Sequence, residues 1–332
     1  MRHAAIDGHA DTIERYLADP LGFFGSGRQG HLDGARLRET GQNVQVMAVY
    51  TPADLTGEAA ERYALDFIRA YDAVLDSEEN RALEPPFIRV LGRNDLERAC
   101  RPGGFGFLLS MEGASPLHGS LEALDRFFAL GVRGLTLTHN HDNEASRGCF
   151  ADGPDAGLTA FGRELVGALP ARGMVIDLAH ANDALIHDTL AIARSPVIDS
   201  HTGLRAFHRA SPRELRARAL EDEEARAIAE TGGVVCIDFL PDHLKAPGEP
   251  GRRVRLDDLV EVVAHAVDVA GIDGVGLGSD WDGFGGEPVE GLEDASRLPA
   301  LVAALEAAGF SDAGVAKIVG GNLRRALGSV LP

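Results

Sequence analysis

Cysteine is scarce in this 332-residue chain: Cys100, Cys149 and Cys236 are its three, odd in number and far apart. None belongs to a Cys-x-x-Cys pair. That argues against a disulfide framework and for reduced thiols in a cytoplasm. Any metal site must then be built from imidazole and carboxylate. Positive charge is also in deficit: 32 Lys and Arg face 51 Asp and Glu, for a net charge of −19. Such a surface repels nucleic acid and anionic membrane, so neither is expected as a partner. Solubility is the simplest use of the acidity. No apolar run approaches the roughly 18 residues of a membrane span. "MRHAAIDGHAD" has no signal-peptide core, and "ALGSVLP" has no hydrophobic anchor tail. Short-period repeats and low-complexity tracts are missing as well.

What is present is material for a large core, with 45% apolar and 25% charged residues. Short apolar runs ending in a polar residue recur along the chain. They are "AAIDGHAD" (4–11), "VQVMAVY" (44–50), "FGFLLSMEG" (105–113), "GLTLTHN" (134–140), "MVIDLAH" (174–180), "PVIDSH" (196–201), "GVVCIDF" (233–239) and "GVGLGSD" (274–280). Helical patterns lie between them, among them 122–131, 158–173 and 256–271, and Gly131, Gly173 and Gly271 stop these three. Apolar strands alternating with helices imply a parallel sheet with both faces covered. Eight of them predict an α/β fold, a closed (β/α)8 TIM-type barrel. An open doubly wound sheet would announce a Gly-rich phosphate loop after its first strand, and "DGHADT" is not one. Residues 51–100 read as a long, partly helical insert. Residues 240–255 read as a loop over one face, and 298–330 as C-terminal helices closing the barrel. No composition break divides the chain, so 1–332 is expected to form one domain.

A barrel of this kind carries its active site at the C-terminal ends of its strands. The first run ends in His9 and Asp11, the third in Glu112, the fourth in His139, the fifth in His180, the sixth in His201 and the eighth in Asp280. One such histidine is an ordinary polar cap. Seven acid–base or metal-competent residues at the ends of six strands form a constellation. Imidazole and carboxylate without thiolate suit Zn²⁺, Mn²⁺ or related ions. The set suffices for two ions ~3.5 Å apart sharing a carboxylate. His9 and Asp11, one residue apart on a strand, point to the same side and can grip one ion. His180 and His201, on adjacent strands, can grip another, and Glu112 lies between the two sets, placed to bridge. Such a pair holds a water as hydroxide near neutral pH. Asp280 can take that water's proton and hand it to a leaving amine.

"DGHAD", "SMEGA", "LTLTHN", "VIDLAH", "PVIDSH" and "GLGSDWDG", taken in order, resemble the membrane dipeptidase (renal dipeptidase) family of the amidohydrolase superfamily. The matches run from residue 6 to residue 283. The resemblance implies a binuclear zinc dipeptidase on a distorted (β/α)8 barrel, usually a homodimer, with two Zn²⁺ per chain and dipeptides as substrate. It implies that His9 and Asp11 bind one ion, that Glu112 bridges, and that His180 and His201 bind the other. Asp280 matches the family's catalytic aspartate. His139 matches its histidine that contacts substrate and stabilises the tetrahedral intermediate. The family also places an Arg-Asn pair after the sixth-strand histidine, its Arg holding the substrate carboxylate. Here "RALEDEEARAIA" matches best and nominates Arg218, but Ala219 stands where Asn is usual. Arg205 and Arg209 are rivals for that role.

Other functions on the same barrel are a deacylase, a lactonase or a phosphotriesterase-like enzyme. Those more often carry His-x-His on the first strand and a bridging Lys, against Asp11 and Glu112 here. A catalytically inactive metal-binding or partner-binding barrel is the third reading; loss of Asp280 or of a ligand would mark it, and none is lost. Asp142 and Asn143 are expected to shape their loop, and Asp282 to fix its own by hydrogen bonds. Asp177, Asp199 and Asp238 are expected to pair with neighbouring turns. His3, His31, His118, His187, His208, His243 and His265 read as surface or loop residues.

Overall fold

The computed structural model describes residues 2–25, 30–208, 213–244 and 252–332. Its strands are β1 (Ile6–Ala10), β2 (Val44–Tyr50), β3 (Ile88–Arg89), β4 (Gly106–Glu112), β5 (Val132–Thr136), β6 (Val175–Asp177), β7 (Val197–Thr202), β8 (Val234–Ile237) and β9 (Val275–Leu277). Every expected run supplies one. All neighbours are parallel, in the order β1-β2-β4-β5-β6-β7-β8-β9. The two ends meet: Asp11 N donates to Trp281 O (2.9 Å) and Asp280 N to His9 O (3.1 Å). The result is a nearly closed barrel of eight parallel strands with helices around it, the (β/α)8 arrangement. The unexpected β3 lies inside the 51–100 insert. β5 pairs with β4 only from Leu109 on, and β3 takes β4 at Gly106 and Phe107.

Alternation along β4 shows how the barrel is filled. Leu108 packs with Ile6, Val44, Val46, Val175, Ile198, Val234 and Cys236, and with Leu323 and Leu327 of the C-terminal helix Asn322–Val330. Phe107, Leu109 and Met111 belong instead to the larger cluster beneath the helices. The even-numbered residues of β4 therefore face inward, and Glu112 continues that face to the strand's C-terminal end. The C-terminal helix closes the floor below, as the sequence led one to expect. Gly131, Gly173 and Gly271 all have positive φ (100°, 75° and 76°) at or just past helix ends, the conformation glycine tolerates.

Candidate active site

The C-terminal mouth of the barrel opens into a cavity of about 480 Å³. Asp11, Glu112, His139, His180, Arg218 and Asp280 line it, and His9 and His201 lie buried beneath. The expected side chains thus converge. They do not do so by regular pleating. β1 shifts register between Asp7 and Ala10, and β7 between Asp199 and Thr202. These irregularities fall at His9 and His201, and such bulges re-aim side chains. Asp11 lies past the strand. It occupies the N-cap of the 3₁₀ turn Thr12–Tyr16 without capping it, and its Oδ2 sits 3.4 Å from His9 Nε2. His180 (φ 62°) and Asp280 (φ 59°) adopt the left-handed conformation, rare outside glycine. Strain of this kind concentrates at functional positions.

Glu112 is the hub. Its Oε1 lies 3.1 Å from His180 Nε2, 3.5 Å from His201 Nε2, 3.7 Å from His9 Nε2 and 3.9 Å from His139 Nε2. His180 and His201 approach each other at 3.0 Å between their Nε2 atoms. Asp280 Oδ1 is 4.0 Å from His9 Nε2. The outer ring nitrogens are held from behind: His180 Nδ1 lies 2.7 Å from Asn140 Oδ1, and His201 Nδ1 lies 2.9 Å from Ser200 Oγ. Such partners orient an imidazole and aim its other nitrogen at a ligand. Asp7 accepts from Ser279 N, Ser279 Oγ and His9 N, tying β1 to the segment after β9. Space is kept by glycine. A Cβ on Gly278 would lie 1.7 Å from Ser200 O, and one on Gly283 2.2 Å from Asp11 Oδ2.

Crowding shifts these groups strongly. Burial lifts the Glu112 carboxyl to about 8, against the pull of His9. Burial, then Asp11, raises Asp280 well above the carboxylate range. Burial holds His180 and His201 well below the ordinary histidine value, and with Arg218 it takes His139 down to about 4. For His9, burial is outweighed by Glu112 and Asp11, which raise it to about 10. The donor set suits a divalent ion. His9 Nε2 and Asp11 Oδ1 are buried with no hydrogen-bond partner. Three trios each gather their ligand atoms within 4.8 Å: His9, Asp11 and Glu112; Glu112, His139 and His180; His9, His201 and Asp280. His9 recurs in two of the trios, and so does Glu112.

The three arginines separate. Arg218 is buried at the cavity wall; its Nη2 donates to His201 O (2.6 Å), while Nη1 has no partner among the described residues. Arg205 is committed elsewhere, to Asp183 (2.7 Å), Glu221 (3.2 Å) and Ala219 O (2.9 Å). Arg209 lies outside the described residues.

Asp282 fixes its loop as expected, accepting from Thr12 Oγ1, Arg15 Nε and His31 N at 2.7 Å each. Asn143 and Asp142 likewise hold their loop through Ala145 N and Gly148 N. Asp177 binds Thr136 Oγ1 and Ser200 N. Two histidines correct the sequence reading: His208 and His243 are buried, not surface groups. His243 lines the cavity and pairs with Asp238. Tyr50, whose ring meets His139 edge-on at 5.2 Å, and Asn140 were also missed. Asn140 had a signal, since it follows His139 directly in "THN". His243 had none, because its burial depends on partners in other elements.

Comparison with known proteins places this geometry. An uncharacterized dipeptidase of Schizosaccharomyces pombe is 36% identical over 203 residues, which are 60% of this chain and 47% of that relative. The match thus spans about half the length of that curated relative. A crystal structure of dipeptidase AC, a metallopeptidase of family M19, has a TM-score of 0.89 at 25% identity, covering 100% of this chain and 99% of that one. A metallopeptidase from Rhodobacter sphaeroides, solved with a phosphinate mimic of the dipeptide L-Ala-D-Ala, has the same fold (TM-score 0.88, 23% identity, 99% of each chain). The family model for membrane dipeptidases, peptidase family M19, matches residues 1–331, and the chain belongs to that family.

Proposed function

We propose that this protein is a zinc-dependent dipeptidase that cleaves the peptide bond of dipeptides with a free C-terminal carboxylate. The observation that carries the reading is the position of Glu112 Oε1, within 4 Å of the Nε2 atoms of His9, His180, His201 and His139. His9 and Asp11 would hold one ion, His180 and His201 the other, and Glu112 both. When bound, a pair of zinc ions polarises the scissile carbonyl and makes water nucleophilic near neutral pH.

The chain's own groups supply the rest. Asp280 stands at the cavity wall beside His9, where its carboxylate can accept the proton of the attacking water and return it to the leaving amine. His139 is held neutral at working pH by burial. A neutral imidazole can donate one hydrogen bond to the carbonyl oxygen as it gains charge. Arg218 offers Nη1 to the substrate carboxylate, a charge-assisted contact. A cytoplasmic homodimer belongs to the same proposal, supported by the three free thiols and the family resemblance.

The test is direct. Protein stripped by chelator and reloaded with zinc should hydrolyse dipeptides, with about two ions per chain. Tripeptides, N-acyl amino acids and lactones should be poor substrates. A reloaded protein that prefers an N-acyl amino acid or a lactone would overturn the reading.

A further inference from the structure

Among the cavity's side chains that have no part in these roles, His243 is a titratable group held by a buried carboxylate. It sits on the short helix Pro241–Leu244 after β8, is 2% exposed, and lines the cavity with Arg218 and Leu240. Its Nδ1 lies 2.5 Å from Asp238 Oδ2. Asp238 is fully buried, and among the described residues His243 is its one ion-pair partner. Nδ1 is therefore the nitrogen committed to Asp238. A ring that holds a second proton, as one does between two carboxylates, carries it at Nε2. That atom has no hydrogen-bond partner among the described residues. The residue is braced from behind as well. His208 Nε2 lies 2.7 Å from His243 O, and a Cβ on Gly203 would come within 3.0 Å of His243 Cβ.

Arg218 stands against the same segment of chain. Its carbonyl accepts from Thr202 Oγ1 (3.3 Å), next to Gly203. Its Nη1 is buried without a partner. Arg218 Nη1 and His243 Nε2 thus belong to side chains that line one cavity and have no acceptor among the described residues, and both residues are packed on 202–203. A buried guanidinium N–H left unmade costs free energy, so the wall is suited to a ligand group that accepts from Arg218 and reaches His243 beside it. A carbonyl oxygen offers one atom, and an apolar side chain offers none. A carboxylate offers two oxygens and the matching charge.

We propose that His243 is a second anchor for the substrate's free carboxylate. One oxygen is taken by its Nε2–H and the other by Arg218 Nη1, and Asp238 is the positioning residue that holds the ring. This rests on the dipeptidase reading and extends it to how the C-terminus is selected.

His243→Asn separates the roles. The Asn amide stands where Nδ1 was, so Asp238 keeps a donor, while Nε2 is gone. His243→Gln returns a donor near Nε2. The zinc-loaded full chain is assayed on Ala-Ala and on its C-terminal amide. In parallel, calorimetry measures binding of a phosphinic dipeptide analogue with and without the carboxylate. The expected result for His243→Asn is a KM for Ala-Ala raised about 10- to 100-fold, the size of one hydrogen bond to a charged group. Turnover is retained and the amide changes less than about threefold. The analogue weakens only in its carboxylate form, and His243→Gln recovers part of the loss. Equal loss for acid and amide makes His243 structural and overturns the proposal, as does no loss for either. If His243→Asn does not fold, Asp238→Asn decides by the same acid-to-amide ratio. If the wild-type chain cleaves neither substrate, the dipeptidase reading fails on its own, and calorimetry with the two analogues still decides on His243.

Discussion

Glu112 Oε1 lies 3.1 Å from His180 Nε2 and 3.7 Å from His9 Nε2, between the two groups of candidate ligands. An oxygen so placed couples whatever binds on either side. Glu112→Gln keeps the shape but weakens the shared donor. It should lower metal content at both positions together, from about two ions per chain to below one. Elemental analysis after gel filtration reads this out. A single tightly held ion, unchanged in the variant, would rule out the binuclear arrangement.

Asp280 lines the cavity with its Oδ1 4.0 Å from His9 Nε2, where a carboxylate can take a proton from a bound reactant and return it. Asp280→Asn cannot accept a proton. Turnover should fall by roughly 10²–10⁴ with metal content unchanged. Steady-state rates within a few-fold of wild type would make Asp280 a structural residue.

Asp282 ties the segment after Asp11 to the loop after β9 through Thr12, Arg15 and His31. Its side chain is wholly buried. Asp282→Ala leaves those donors unmade and frees the 3₁₀ turn that carries Asp11. Zinc affinity should weaken about 10- to 100-fold, the usual cost of losing a group that orients ligands. Competition with a fluorescent chelator measures it. Unchanged affinity would mean that the turn holds Asp11 without help.

The site was readable in the sequence where chemistry coincided with the end of an apolar run, because a strand's C-terminal end is where this barrel presents its residues. Glu112 needed only the alternation of β4 to be placed. His9 and His201 were placed at the correct end, but the register shifts that aim them arise from neighbouring strands, and no periodicity encodes those. The left-handed backbone at His180 and Asp280 is equally silent, since Asp and His tolerate that conformation more than most residues but far more often adopt others. β3 is too short to show as a run. His243 was misread because "DFLPDHL" resembles a loop; its burial comes from Asp238 five residues back and from Gly203 just past β7.

Arg218 and Arg205 were rivals in the sequence, and the structure assigns them different work. Arg205 is bound to Asp183, Glu221 and the Ala219 carbonyl, joining the segment after β7 to the helix Asp183–Ile192. Its side chain is 12% exposed. Arg205→Ala should therefore cost stability, about 1–2 kcal/mol, and leave KM nearly unchanged. The Arg205 contact holds the Asp183 carboxyl below its ordinary value. A depressed carboxylate contributes stability above its unfolded value and loses it as pH falls through the folded one. The melting-temperature gap between wild type and Arg205→Ala should accordingly be full near neutrality and shrink below about pH 4. Arg218→Ala should behave in the opposite way. It removes the cation with a free Nη1 at the cavity wall, so kcat/KM for dipeptides should fall by about 2–4 kcal/mol, the cost of truncating one buried charge partner. C-terminally amidated dipeptides, which never form the full ion pair, should lose much less. Kinetics on acid and amide, beside thermal melts of both variants, distinguish the two residues. If Arg205→Ala raises KM selectively for the acid and Arg218→Ala does not, the carboxylate lies on the Arg205 side and the assignment is reversed.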